Sequence, residues 1–373
     1  MGVPYAAQLA SKENRCREAV AGFVHDDAWL APVRGPESGF RNKAKLVAAG
    51  RPGAVTLGIL DGSGRGVDLQ GCGLYEPGLA ESLPLLADFI DRLGIEPYDV
   101  PGRRGQLKYV IVTHSPDDEL MVRFVLRTPH EVARIRKALP GLSTALPGLA
   151  VVSVNLQPEH KAILEGDTEI PLSEREILPM RVNDVVLGLR PNSFFQTNTD
   201  VAAALYRQAR EWVEVLSPRS VWDLYCGVGG FALHVVGLDT PDRSVLGVEI
   251  STEAIESARA SAESLRSRIP GWGEVRFVVG DATQVGHENA AATPPDLVIV
   301  NPPRRGLGPE LTAWLESSGV PDVIYSSCNV DSLPKDLAEL PSYRVEQARL
   351  FDMFPQTNHH EVMVRLAHRR AIG

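Results

Sequence analysis

From about residue 200 onward, short apolar segments alternate with helix-length amphipathic ones, and few architectures accept that rhythm. Val201, Leu205, Tyr206, Ala209, Trp212 and Val213 recur at helical spacing, with Asn198 or Thr199 placed to cap the helix they predict. Strands are predicted at 220–224, 244–250, 274–279, 296–300 and 322–326, and helices from about 230 and over 252–265. Successive parallel strands need a long crossover, and a helix is its usual form. The expectation is therefore an α/β fold: a Rossmann-like, doubly wound sheet over residues 181–373. A polar segment at 286–295 reads as a loop.

The first 180 residues follow another pattern. A short helix is expected over the first 20. Strands are expected at 41–46, 55–60, 107–113 and 120–126, the last two paired across a polar turn. Helices over 83–93 and 131–139 interrupt them, which makes this half a separate α+β domain. A chain of 373 residues has room for two domains. No run of about 18 apolar residues suggests a membrane span, and the first residues lack the charged-then-apolar pattern of a signal peptide. Cys16, Cys72, Cys226 and Cys328 form no CxxC pair, so neither a disulfide scaffold nor a zinc ribbon is expected. The expected location is the reducing cytoplasm. A net charge of −9 argues against general nucleic-acid affinity but leaves room for a local basic face.

Three chemical signals fall at strand ends. Asp223-Leu224-Tyr225-Cys226-Gly227-Val228-Gly229-Gly230 would close the first strand and open a helix, where glycines such as Gly227 let the backbone approach a nucleotide-like ligand. Such a loop alone also makes plain turns. Glu249 ends the second strand, about twenty residues on, where a carboxylate can accept both ribose hydroxyls. Asp281 follows the third, placed for an adenine amine, and Asn301-Pro302-Pro303 follows the fourth. A dehydrogenase shares the first two signals. Asn-Pro-Pro is typical instead of methyltransferases that use S-adenosylmethionine. In amino-methyltransferases an aromatic ring comes next; here it is Arg304, which suits a phosphate better than a base face.

Cys328 lies just beyond the fifth predicted strand. A thiolate there could add to carbon 6 of a pyrimidine, making carbon 5 enolate-like and able to take a methyl group. A base must then remove the carbon 5 proton, and Glu361 in His359-His360-Glu361-Val362 is the candidate. Most single cysteines are core residues, and Cys226, inside the glycine loop, suits that plainer role better. The His359-His360 pair has no obvious third metal ligand.

These motifs occur in the order found in the TrmA/RlmC/RlmD family of RNA uracil C5-methyltransferases, which the chain resembles over nearly its whole length. The resemblance extends to residues 35–45, Gly105-Gln106-Leu107-Lys108-Tyr109, residues 190–198 and residues 350–355. It is nearest the RlmC branch, which acts on 23S ribosomal RNA, since the RlmD and TrmA branches carry Asp where Asn301 stands. The resemblance implies a class I methyltransferase domain behind an RNA-binding domain. It implies Cys328 as nucleophile, Glu361 as base, and Gln196, Tyr225, Glu249 and Asn301 as holders of S-adenosylmethionine. It also implies a four-cysteine 4Fe-4S cluster. Cys72 matches one ligand, but the other three have no counterpart and Cys16 falls too late, so no intact cluster is expected.

The expected partner is a 23S ribosomal RNA uridine in a loop or unstacked region, bound by a monomer. Transfer RNA, another ribosomal uridine, and a non-catalytic RNA-binding role are the alternatives. Arg41, Lys43, Lys45 and Arg304 are the leading RNA contacts, with Arg34, Arg103, Arg104, Lys108, Arg123 and Arg127 as further candidates.

Overall fold

The computed structural model describes residues 2–161, 163–237, 243–269, 272–284 and 293–369. Most of the polar loop expected at 286–295 lies outside these residues. The chain forms two compact units, one of Ser38–Arg181 and one of Met1–Glu37 with Val182–Gly373. The first 37 residues therefore group with the second half, whereas a single domain over 1–180 was expected. The reason lies in α1 (Tyr5–Ala19): its Leu9 and Cys16 sit in the same apolar core as Leu224, Val298 and Tyr325.

The unit of Ser38–Arg181 holds β1 (Lys43–Arg51), β2 (Ala54–Leu60), β3 (Gly66–Asp68), α2 (Pro77–Leu93), β4 (Leu107–His114), β5 (Leu120–Leu126), α3 (Val132–Ala145), β6 (Leu149–Leu156) and β7 (Thr168–Pro171). Its sheet runs β3-β2-β1-β4-β5-β6-β7, antiparallel except between β5 and β6. Alternation along β1 sends Ala44, Leu46 and Ala48 into the core with the buried faces of α2 and α3, which leaves Lys43 and Lys45 on the opposite face. Both helices outrun their expected limits. Pro77 opens α2 where a missing N–H costs nothing, and the buried Leu79, Leu83, Leu86 and Ile90 carry it through Pro84. Pro140 likewise fails to end α3, which continues past buried Leu142.

β8 (Leu178–Val182) ends where the second unit begins, and β9 (Val185–Leu189) follows. Then come α4 (Thr199–Leu216), β10 (Ser220–Leu224), α5 (Gly230–Val235), β11 (Ser244–Glu249), α6 (Thr252–Arg268), β12 (Glu274–Val279), β13 (Leu297–Val300), α7 (Pro309–Ser318), β14 (Asp322–Ser327), α8 (Leu333–Ala338), β15 (Tyr343–Phe351) and β16 (Glu361–His368). The strand order is β12-β11-β10-β13-β14-β16-β15. β10 to β14 are parallel, and the order reverses between β10 and β13, which is where such sheets bind ligands. Sequence patterning did not anticipate β15 and β16. β16 inserts antiparallel between β14 and β15, pairing Ser326 with Met363 and Ser327 with Val362. The outer edge of β15 is covered: the amides of Leu30 and Val33 donate to Ala348 and Leu350 oxygens, both at 2.8 Å.

One buried ion pair ties α1 to this unit. Lys12 Nζ donates to Asp352 Oδ1 at 2.6 Å, and the Asp352 side chain is fully buried. Lys12→Met would leave that carboxylate without its cation. The expected cost is about 3–5 kcal/mol, read as a lower urea midpoint.

Candidate active site

The glycine loop turns because three consecutive alternate positions adopt left-handed backbone: Tyr225 (φ 65), Gly227 (φ 54) and Gly229 (φ 88). The Cys226 amide donates to Val248 O at 3.0 Å, which fixes the loop to the end of β11. Asp223 Oδ2 accepts the Ala232 amide at 2.8 Å, anchoring α5. Burial pushes the Asp223 carboxyl up to about 7. Glu249 is oriented by backbone: Oε2 accepts from the Gly227 amide at 3.3 Å and Oε1 from the Ser251 amide at 3.0 Å. Beside it, the Tyr225 hydroxyl oxygen is buried with no hydrogen-bond partner. Its pKa is raised, first by burial and then by the charges of Asp281, Asp336 and Glu249, against the pull of Arg305. A Cβ placed on Gly227 would meet no atom within 4 Å, so the loop has open space in front of it. Asp281 is exposed, and its Oδ1 accepts both the amide and the hydroxyl of Thr283. Gln196 is buried just ahead of Asn198, which caps α4 by accepting from the Val201 amide. Asn301 follows directly after β13 and is half-buried.

The thiol and the carboxyl meet through strand register. Ser327 pairs with Val362, so one step further sets Cys328 opposite Glu361. Side chains alternate along a strand, which puts Ser326, Cys328, Met363 and Glu361 on one face. Ser326 Oγ donates to Glu361 Oε2 at 3.3 Å, as that placement requires. Glu361 is buried, and burial drives its carboxyl up to about 8, with Ser326 and Arg304 opposing. Half-buried Cys328 is also raised, by burial first and then by the Glu361 charge, while Arg304 lowers it by charge and hydrogen bonding. Arg304 is placed by its neighbour: Asn329 Nδ2 donates to Arg304 O at 2.9 Å. The turn carrying it is held from below, where Asp336 Oδ2 accepts from the Leu307 amide at 3.0 Å and the Tyr325 hydroxyl at 2.6 Å.

The structure thus places Cys328 and Arg304 on one cleft, with Glu361 buried beside Cys328, and Tyr225, Gly227 and Glu249 around the glycine loop. Sequence reasoning missed Ser326 and Asn329, whose roles depend on strand pairing. His360 serves packing: its Nε2 lies 3.0 Å from the buried Cys16 sulfur. Among the Ser38–Arg181 candidates, Arg41 Nε donates to Lys43 O at 3.0 Å. Lys45 pairs with Glu165 at 2.9 Å, and burial pushes the Lys43 ammonium down to about 8. Two of the further candidates need correction. Arg123 is buried and bound by Glu165 at 2.6 Å and Glu169 at 2.9 Å, and Lys108 is buried against Gln157 and the Glu159 carbonyl. Arg123 is already neutralised by its two carboxylates, and the Lys108 ammonium is taken up by a side-chain amide and a backbone carbonyl.

Residues 293–369 match the family model described as tRNA (Uracil-5-)-methyltransferase, and residues 186–313 match the one described as Methyltransferase small domain. The chain is 48% identical over 368 residues to the 23S rRNA (uracil(747)-C(5))-methyltransferase RlmC of Yersinia pseudotuberculosis, covering 98% of this chain and 95% of that relative. The chain belongs to the RNA uracil C5-methyltransferase family. The RlmC of Yersinia pestis strain Pestoides F is similar to the same degree, 48% over 98% of this chain and 95% of that one. The solved tRNA (uracil-54, C5)-methyltransferase of Pyrococcus abyssi, in complex with S-adenosyl-L-homocysteine, superposes with a TM-score of 0.80 at 26% identity, covering 98% of this chain and 84% of that one. The fold of the second unit is accordingly that of a class I methyltransferase. The family cofactor, S-adenosylmethionine, suits the glycine loop, with its orphaned Tyr225 hydroxyl, oriented Glu249 carboxylate and open space at Gly227. A 4Fe-4S cluster does not suit the donors present. Cys16 and Cys226 are buried in the core, Cys72 is half-buried in a turn, and among the described residues no three His, Cys, Asp or Glu side chains group to hold a metal. No helix among the described residues is long and apolar enough to cross a membrane.

Proposed function

We propose that this protein methylates carbon 5 of a uridine in 23S ribosomal RNA, the position corresponding to that for which its RlmC relatives are named. It does so as a cytoplasmic monomer acting on a uridine that is unstacked or in a loop. One observation carries the chemistry: the antiparallel register of β14 and β16 sets a thiol across from a buried carboxyl at the ligand-binding end of the sheet. Gln196, Tyr225, Gly227, Glu249, Asp281 and Asn301 hold S-adenosylmethionine, whose sulfonium supplies the methyl group.

The Cys328 thiolate adds to carbon 6 of the uracil, and the electron pair moves to carbon 5 and its adjoining carbonyl. Arg304, within hydrogen-bonding reach of the sulfur, favours the thiolate. Carbon 5 forms its bond to the methyl carbon as the sulfonium bond breaks. Glu361 then takes the carbon 5 proton, the 5,6 double bond reforms, and the thiolate leaves. The stacked base must be extruded to reach Cys328, which is less costly where the RNA is already open.

5-Fluorouridine-substituted 23S RNA tests this directly. Fluorine at carbon 5 cannot leave as a cation, so methyl transfer should trap a protein–RNA adduct that survives a denaturing gel. Peptide mass spectrometry should place it on Cys328. An adduct on substituted transfer RNA and none on 23S RNA would move the substrate to the Pyrococcus-like alternative. No cofactor-dependent adduct on either RNA would reject the covalent route.

A further inference from the structure

Helix α1 forms a wall of the Cys328 cleft. The cleft encloses about 200 Å³, and Arg15 lines it together with Arg304, Cys328, Asn329, Asn358 and His359. The helix is held firmly in place. Lys12 Nζ donates to Asp352, to Phe354 O at 3.0 Å and to His359 O at 3.1 Å. One turn away, Gln8 Nε2 donates to Gln356 Oε1 at 2.9 Å, and Cys16, next to Arg15, is buried against His360. Arg15 is therefore delivered to the cleft by a preorganised element.

Its present partner is weak. Arg15 Nη2 lies 3.2 Å from Asp331, and the two side chains are 51% and 68% exposed. Such pairs contribute little and exchange readily. A guanidinium matches a phosphate with two parallel hydrogen bonds from two nitrogens, whereas Asp331 now engages Nη2 alone, with both of its oxygens 3.2 Å from that nitrogen. A uridine placed on Cys328 must leave its two flanking phosphates at the mouth of the cleft, where Arg15 and Arg304 both stand.

We propose that Arg15 is a substrate-contact residue which, with Arg304, grips the RNA phosphates flanking the target uridine, with Asp331 occupying its guanidinium until RNA arrives. The inference rests on methyl transfer at Cys328.

The test uses transcribed 23S ribosomal RNA with the full-length protein and four variants. Arg15→Gln should raise KM about tenfold, the scale of one charge-assisted hydrogen-bonding contact, and leave kcat at saturating RNA within about twofold. The slope of log affinity against log salt should fall by about 0.7–0.9. Arg15→Lys should restore that slope and only part of the affinity. Asp331→Asn should lower KM, a change of opposite sign that misfolding cannot produce. Arg17→Gln is the control, because Arg17 pairs with Glu13 at 2.8 Å and stacks on Trp29, away from the cleft; it should leave KM unchanged. Wild-type KM and salt slope in Arg15→Gln, or an equal loss in Arg17→Gln, would overturn the proposal. Failure of the wild-type protein to form its 5-fluorouridine adduct would instead reject methyl transfer itself, so the two failures are distinct.

Discussion

Cys328→Ala is expected to lower methyl transfer to 23S RNA by about 10⁴-fold or more, the scale seen when a covalent nucleophile is removed from an enzyme. Carbon 5 of uracil is a poor nucleophile, and no other side chain near Glu361 can raise its electron density by adding to carbon 6. Cys226 does not substitute: it is buried in the glycine loop, with burial holding its thiol well above the usual range. Binding of S-adenosylmethionine should be unchanged, since Tyr225, Gly227 and Glu249 are assembled on β10 and β11. Isothermal titration with the cofactor, beside a tritium-transfer assay, separates the two quantities. Rates within tenfold of wild type would remove Cys328 from the mechanism.

What could be read from sequence follows from how local each signal is. The central parallel strand announced itself because it is buried on both faces and apolar throughout, the run Leu297 to Val300, whereas β12 at the edge keeps Glu274 and Arg276 exposed and was legible from its spacing between helices. The glycine loop was legible because left-handed backbone at Gly227 and Gly229 favours glycine, whatever the rest of the chain does. Tyr225 adopts that backbone too, and nothing in its side chain declares it. β15 and β16 were not legible: Arg344, Glu346 and Arg365 interrupt their apolar pattern, and their pairing spans a connection rather than a tight turn. The same gap hid the partnership of Ser326 with Glu361, which exists only through β14–β16 register. Basic residues were the least legible. Arg123 and Lys45 look alike in sequence, yet one is sealed beneath two carboxylates and the other remains partly in solvent. The charge of a strand residue says nothing of what faces it from the next strand.

Glu361→Gln is expected to do something different from Cys328→Ala: it should slow turnover by about 10²–10⁴-fold and leave the protein joined to its RNA. Addition at carbon 6 and transfer of the methyl group do not need the base. Loss of the carbon 5 proton does, and a glutamine cannot accept it, so the methylated adduct should accumulate on unmodified RNA. A denaturing gel reads this without any fluorinated substrate. Two pH effects follow from the same carboxyl. With its pKa near 8, Glu361 is mostly protonated at neutral pH, so kcat, which includes loss of the carbon 5 proton, should rise with pH up to about 8. Because the thiol and carboxyl influence one another, that limb belongs to the pair. Glu361→Gln should flatten it in the slow turnover that remains. For stability the sign runs the other way. The folded state holds this proton from the ordinary value of 4.5 up to about 8, where the unfolded chain has released it. Stability contributed by this residue therefore falls as pH rises through that window. Thermal unfolding of the two proteins should agree near pH 4, and the glutamine variant should become the more stable by pH 8. A variant that is less stable at pH 8, with no adduct on the gel, would mean that Glu361 holds the strand pair together and does not serve as the base.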